Sequence, residues 1–314
     1  MRVFNKTIPN RFILLGIVFI SCQFIILVLI ANSCRILLST LPATQSPQSQ
    51  TDLNGSIGIF DSGVGGLSIY QGVKDLLINE RVVYVGDMAH SPYGEKSAEF
   101  ILQRCHKICQ YLQQQGVKAI VVACNTATVS VIDSLRAQFS LPIIGVEPAV
   151  KPAAMHSKTG HVGVFATRAT LASRSFNQLM ADLSQFACFH TVACRGLVEA
   201  IETMPHDDNH IQRLLNDFSA QVLSHNIDAL VLGCTHYPFI KHQLRHILPE
   251  HIDIYDTAQA VARQLQRRLQ QVDGLAPQTH SLEDVFLTSG DAAFGEQIFS
   301  TLLNKSTKVK QLII

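Results

Sequence analysis

Ala119-Ile120-Val121-Val122-Ala123-Cys124-Asn125-Thr126 sets an apolar run against a cysteine and two polar residues. The segment reads as a buried strand, a small residue, a thiol, and polar side chains that open the next element. Leu230-Val231-Leu232-Gly233-Cys234-Thr235 repeats the pattern. The echo points to two similar halves, each presenting one cysteine at a strand end, although it is too short to establish a duplication.

Working outward, β-rich runs recur at 57–60, 82–85, 119–123, 142–146, 161–166, 190–193, 229–232, 252–255 and 285–288. Most are followed by a loop and then by helical spacing, as in Val261, Leu265, Leu269 and Val272 after Asp256. Such alternation predicts an α/β fold of parallel sheets with helices on both faces, and places function at the C-terminal ends of the strands.

The chain has 314 residues, 47% hydrophobic and 16% charged, with a net charge of +1. That excludes a disordered chain and a nucleic-acid binder that relies on bulk basicity. The mean hydropathy of +0.21 is high, and much of the excess sits in residues 12–31, a run of 20 without a charge. A bilayer core of about 30 Å needs roughly 20 apolar residues of helix, so this run is a transmembrane candidate. Residues 39–56, rich in Ser, Thr, Gln and Pro, have linker composition, and the remainder is long enough for two domains of common size.

The charges flanking the run cut against an anchor. Arg2, Lys6 and Arg11 precede it and only Arg35 follows before Lys74, so the positive-inside rule places the remainder outside the cytoplasm. A signal peptide fits little better, because the run exceeds the usual length and Ala31-Asn32-Ser33 is a poor cleavage site. Two readings stand: a genuine anchor, or upstream sequence included by an early start.

The eight cysteines form no CxxC pair, which predicts reduced thiols in a cytosolic protein, some of them catalytic. Cys105 and Cys109 flank His106, a metal-like grouping, yet share the apolar stripe Ile101, Cys105, Ile108, Leu112 of a helix ending at Gly116. Buried structural cysteines are the better reading there.

Ile59-Phe60-Asp61-Ser62-Gly63-Val64-Gly65-Gly66-Leu67-Ser68 puts three glycines after a strand. Three readings are open: a tight turn aiming N–H groups at a small anion, a dinucleotide fingerprint with Asp87 as its acidic partner, or a purely structural turn. Ser68 in the third glycine position, and an acid where a pyrophosphate would approach, weigh against the nucleotide. Cys124 and Cys234, each at a strand mouth, are candidate nucleophiles or bases, with buried filler as the alternative for either alone. His236 suits an acid/base partner for Cys234, a metal ligand or a core residue equally.

Taken together, the segments 60–67, Gly86-Asp87 through Ser91-Pro92-Tyr93-Gly94, Ala123-Cys124-Asn125-Thr126-Ala127 and Gly233-Cys234-Thr235-His236-Tyr237-Pro238 resemble those of glutamate racemases. The resemblance runs from about residue 56 to near the C-terminus. It implies two similar doubly wound parallel-sheet domains with the active site between them, here 56–146 plus about 259–314 and 147–258, preceded by the hydrophobic segment and linker of residues 1–55. It implies interconversion of L- and D-glutamate for peptidoglycan precursors without cofactor or metal, by two cysteines on opposite faces of the α-carbon, one thiolate removing a proton while the facing thiol returns one.

On that resemblance Cys124 and Cys234 are the acid/base pair, Asp61 assists Cys124, and His236 assists Cys234. Asp61, Ser62, Tyr93, Gly94, Asn125, Thr126, Thr235 and His236 hold the substrate. Asp87, Glu202, Thr167 and Thr170 fall near the site, although Arg195 and Ala166 stand where the family carries Pro and Gly, and either threonine fits a helix N-cap as well. Glu147 reads as a loop residue. The partners implied are glutamate and a second copy of the chain in a homodimer, with no nucleic acid, membrane contact only through 12–31, and a cytoplasmic catalytic portion. An aspartate or other acidic amino-acid racemase, a non-catalytic binding protein on the same scaffold and a nucleotide-dependent oxidoreductase are the rival readings.

Overall fold

In the computed structural model the described residues are 55–204, 206–277 and 283–314. The expected hydrophobic helix at 12–31, and all but the end of the 39–56 linker, lie outside them. Among the described residues no helix is long and apolar enough to cross a membrane.

The first half of the chain alternates β1 (Ile57–Asp61), α1 (Leu67–Leu76), β2 (Val82–Gly86), α2 (Ala98–Gln114), β3 (Ala119–Val122), α3 (Asn125–Gln138) and β4 (Ile143–Gly145). The second continues with α4 (Val150–His156), β5 (His161–Ala166), α5 (Arg168–Ala172), α6 (Arg174–Asp182), β6 (Cys188–Ala193), α7 (Leu197–Glu202), α8 (Asp208–Leu223), β7 (Ala229–Gly233), α9 (Lys241–Ile247) and β8 (Asp253–Tyr255). The chain then closes with α10 (Ala258–Gln270), β9 (Val285–Thr288), α11 (Ala292–Leu303) and β10 (Val309–Gln311).

All strand pairings among the described residues are parallel. One sheet runs β10-β9-β2-β1-β3-β4 and the other β6-β5-β7-β8. The order β2-β1-β3-β4 is therefore repeated as β6-β5-β7-β8, so the echo between the cysteine segments reflects a repeated topology in which β3 and β7 are equivalent strands. Each unit turns back on itself beside its first strand, after β2 and again after β6. The crevice beyond the carboxyl ends at such a reversal is where open α/β sheets bind ligands.

Alternation along the strands builds an apolar layer on each face. In the larger sheet Ile57, Ile59, Val82, Tyr84 and Val121 pack with α1, α10 and α11, while Phe60, Val85, Ile120 and Val122 pack with α2 and α3. In the smaller, Phe165, Leu230 and Leu232 face α7 and α8, and Val162, Val164 and Val231 face α4 and α6. Strands buried on both faces read as continuous apolar runs, which is why the sequence located most of them within a residue or two.

Two details differ from the sequence reading. Val272, expected to extend the stripe of α10, lies past the end of that helix and is 44% exposed. The edge strand β10 was not anticipated, because only Val309 of its three residues is buried and no alternating run marks it.

Candidate active site

The strand ends bring the chemistry together. Asp61 closes β1, and Ser62 begins the loop that follows. Cys124 follows β3 and caps α3, its Sγ accepting from the Ala127 N–H at 3.4 Å. In the second sheet Thr167 follows β5 and caps α5, while Cys234 follows β7. The echo is incomplete here: Cys234 leads into a short 3₁₀ turn, Tyr237–Ile240, rather than an α-helix.

Both thiols are nearly buried, Cys124 at 5% and Cys234 at 7% exposure. Burial first, and then the neighbouring Asp61 charge, push the Cys124 thiol well above its ordinary range. The Ala127 N–H and Ser62 oppose the shift, and Cys234 itself adds to it, which puts the two sulfurs within electrostatic reach of each other. Cys124 Sγ lies 3.7 Å from Ser62 Oγ, a weak contact.

Around Cys234 the arrangement is different. His236 Nδ1 lies 3.7 Å from Cys234 Sγ, and His236 Nε2 lies 2.7 Å from Glu202 Oε1. Burial alone would discharge this ring, but the contacts with Cys234 and Glu202 outweigh it and raise its pKa well above 6.5. Glu202 shifts the opposite way: burial opposes its charge, but His236, Ser91 and the Val64 N–H hold the carboxyl below 4.5. The His236 ring thus stands between Cys234 Sγ and a carboxylate that favours the protonated form of the ring.

The glycine loop serves this pairing. Its glycines have no positive φ, so a left-handed turn is not what they supply. A Cβ on Gly65 would run into His236 and Thr235, and one on Gly63 into Glu202. The loop N–H groups do meet anions, but these are the protein's own carboxylates. Gly63 N–H donates to Asp61 Oδ2 at 3.0 Å and Val64 N–H to Glu202 Oε1 at 3.3 Å. Asp61 is fully buried, and burial, against the pull of His236, raises its pKa above 3.8. It makes no hydrogen bond to Cys124 among the described contacts.

Hydrogen bonds tie the two sheets' loops across the site. Ser91 Oγ donates to Glu202 Oε2 at 2.9 Å, Ser68 Oγ to the Thr235 carbonyl at 2.8 Å, and Thr126 and Thr167 share a hydroxyl contact of 3.1 Å. Thr167 Oγ1 also contacts Thr170 Oγ1 at 3.0 Å and accepts from the Thr170 N–H. Thr167 is thus the N-cap of α5, and Thr170 lies inside that helix with its hydroxyl on Thr167. Gly94 lies close to Thr167, and both line a cavity of about 310 Å³ with Arg168, Arg195, Gly196 and Glu199. Neither Cys124 nor Cys234 lines that cavity.

Tyr93 packs in the same buried cluster as Cys124 and, with Asp87, forms a hydrogen-bonded group of its own. The Tyr93 hydroxyl donates to Asp87 Oδ2 at 2.6 Å, Arg104 grips both carboxylate oxygens at 2.8 and 3.1 Å, and His90 Nδ1 contacts Oδ1 at 3.0 Å. Burial works against the Asp87 charge, yet Arg104, Tyr93 and Ser289 hold its carboxyl below 3.8. Both side chains are spent on one another, so they brace the loop that carries Ser91 and Gly94. Asn125 donates to the Val146 carbonyl at 3.1 Å, and its Oδ1, like Asp61 Oδ1, is a buried acceptor without a hydrogen-bond partner among the described residues. Glu147 is an exposed loop residue.

Sequence reasoning did not single out Ser91 and Ser68. Ser91 stood inside a quoted motif, whereas Ser68 counted only as a missing glycine. Cys105 and Cys109 are buried in the layer between the larger sheet and α2, and the His106 ring packs on Phe139 instead of joining them.

A family model described as Asp/Glu/Hydantoin racemase matches residues 57–265. The chain is 44% identical to the glutamate racemase of Ectopseudomonas mendocina over 254 residues, which cover 81% of this chain and 96% of that relative. Among solved structures it is similar to glutamate racemase isoform RacE1 of Bacillus anthracis, with TM-score 0.75 and 30% identity over 83% of this chain and 98% of the other. It is likewise similar to Escherichia coli glutamate racemase in complex with L-glutamate and the activator UDP-MurNAc-Ala, with TM-score 0.73 and 31% identity over 82% of this chain and 97% of the other.

Proposed function

The chain belongs to the Asp/Glu/Hydantoin racemase family, and from that premise we propose that it interconverts L- and D-glutamate by two-thiol proton transfer without cofactor or metal. The observation that carries this reading is that Cys124 and Cys234 each follow an equivalent strand of a repeated topology, β3 and β7, with the β3 mouth bonded to the β5 mouth through Thr126–Thr167 and the β7 mouth to α1 through Ser68–Thr235. Inversion needs acid and base on opposite faces of the α-carbon, since a single base tends to return the proton to the face it left. Two sheets related by repetition supply two such groups.

The thiols are not equivalent. The His236–Glu202 pair stands beside Cys234, so Cys234 is assigned as the base when its face carries the proton, and Cys124, whose thiol burial keeps protonated, as the acid. In the reverse direction the roles exchange, and the Ala127 N–H and Ser62 hydroxyl are the groups that meet charge on Cys124. The open acceptors Asp61 Oδ1 and Asn125 Oδ1 suit the substrate ammonium. The hydroxyls of Ser62, Thr126 and Thr235 suit the α-carboxylate, whose charge grows as the carbanion forms. Because the thiols are nearly buried, substrate enters only when the loops tied by Thr126–Thr167 and Ser91–Glu202 part.

The same reading divides the catalytic portion into a lobe at 147–258 and a lobe formed by 56–146 with about 259–314, following the two sheets. It includes a homodimer, D-glutamate supply for peptidoglycan and a cytoplasmic site whose thiols stay reduced. The relatives' printed names favour glutamate over aspartate. Circular dichroism of L-glutamate, D-glutamate and the aspartate enantiomers, run in heavy water with proton exchange followed by NMR, tests the reading. Racemisation of glutamate with α-deuteration is expected, and glutamate that neither racemises nor exchanges would overturn it.

A further inference from the structure

At the opposite end of the smaller sheet, away from the thiols, a second group of ligating side chains converges. His161 opens β5 and Cys188 opens β6, and the two are register partners in the parallel pair. His190 lies two residues along β6 and so on the same face as Cys188. That is the face covered by α8, where Phe165 and Val192 pack. His161 Nδ1 lies 3.0 Å from His190 Nε2, and the ligating atoms of His161, Cys188 and His190 all lie within 4.8 Å of one another. His225, just past α8, stacks on His190 at 3.9 Å between ring centroids and 11° between planes.

We propose that His161, Cys188 and His190 form a binding site for a borderline divalent ion of the Zn²⁺ class, which pins the edge strand β6 to β5. Two imidazole nitrogens and one thiolate suit Zn²⁺ and disfavour Mg²⁺ or Ca²⁺, which take oxygen ligands. Bond lengths of about 2.0–2.3 Å set a tetrahedral edge of roughly 3.4 Å. The two rings already stand near that spacing, and the exposed Cys188 needs only a side-chain rotation to close the remainder. The stacked His225 fixes the orientation of the His190 ring, and the fourth position is open to water.

Among the described residues β6 is the terminal strand of its sheet, paired with β5 alone. A metal cross-link at its start stabilises the pairing most prone to fraying, at a site roughly 17 Å along the strands from the catalytic ends.

Cys188 is the one exposed thiol among the described residues, which gives a direct readout. Alkylation of the full chain by a maleimide, resolved by peptide mass, is measured with Zn²⁺ and with chelator. Zn²⁺ is expected to slow modification of Cys188 by about tenfold or more, and His190→Ala is expected to remove the protection. As a second reading, Zn²⁺ raises the melting temperature of the wild type but not of Cys188→Ser, while Cys188→Ser racemises at the wild-type rate in chelator. Equal Cys188 alkylation with Zn²⁺ and with chelator, or protection that survives His190→Ala, would overturn the site.

Discussion

His236 Nε2 and Glu202 Oε1 lie 2.7 Å apart, with the other nitrogen of the same ring 3.7 Å from Cys234 Sγ. The carboxylate thus acts on the sulfur through the ring, as a positioning residue. Glu202→Gln is expected to lower kcat about a hundredfold with little change in KM, and to bring the His236 titration, followed by NMR, down toward 6.5. Enantiomers are equal in free energy in water, so kcat/KM must fall equally in the two directions. An unmoved His236 titration would show that the pair carries no coupling.

The same pair fixes a stability profile. The raised pKa of His236 contributes stability that is complete below 6.5 and lost as pH rises through the raised value. The lowered pKa of Glu202 contributes stability that is complete above 4.5 and lost as pH falls through the lowered value. Both contributions are full only between 4.5 and 6.5. Urea denaturation of wild type and Glu202→Gln across pH should show their difference in stability at its largest inside that window.

Cys124→Ala and Cys234→Ala should each abolish racemisation of both enantiomers, a loss of about a thousandfold or more. Cys105→Ala, whose thiol is buried against the larger sheet, should keep turnover and lose about 1 kcal/mol of stability. Racemisation surviving in Cys124→Ala would remove the two-thiol mechanism.

Gly65→Ala tests why the loop is glycine-rich. The added methyl would overlap His236 and Thr235, with no backbone strain since Gly65 has no positive φ. The expected result is a folded protein destabilised by about 1–3 kcal/mol, with kcat falling further than the melting temperature alone explains. Wild-type kinetics would show that the loops do not need this close approach.

Asp87→Asn leaves the Arg104 guanidinium without its buried carboxylate. Breaking such a pair costs about 3–5 kcal/mol, so thermal melting should drop sharply, while the Cys105→Ala change has no comparable effect. The wild-type pair contributes stability above pH 3.8, lost as pH falls through its lowered value, and the variant's pH profile should lack that step.

The strands, their parallel pairing and the two thiol positions were legible because doubly covered strands need continuous apolar runs, and a cysteine after such a run falls at a carboxyl end whatever the rest of the chain does. The repeated order β2-β1-β3-β4 and β6-β5-β7-β8 was visible only as a six-residue echo, since topology depends on which strand lies beside which. What each polar residue bonds to was not legible at all. The fold delivers Arg104 from α2 to Asp87 and sets the Tyr93 hydroxyl on that carboxylate, pairings that no motif in the sequence announces. Glu202 stands 34 residues before His236, and Val64 a further 138 before Glu202. Only tertiary structure could make them one charge network, because hydrogen bonding is fixed by distance in space and the sequence records distance along the chain.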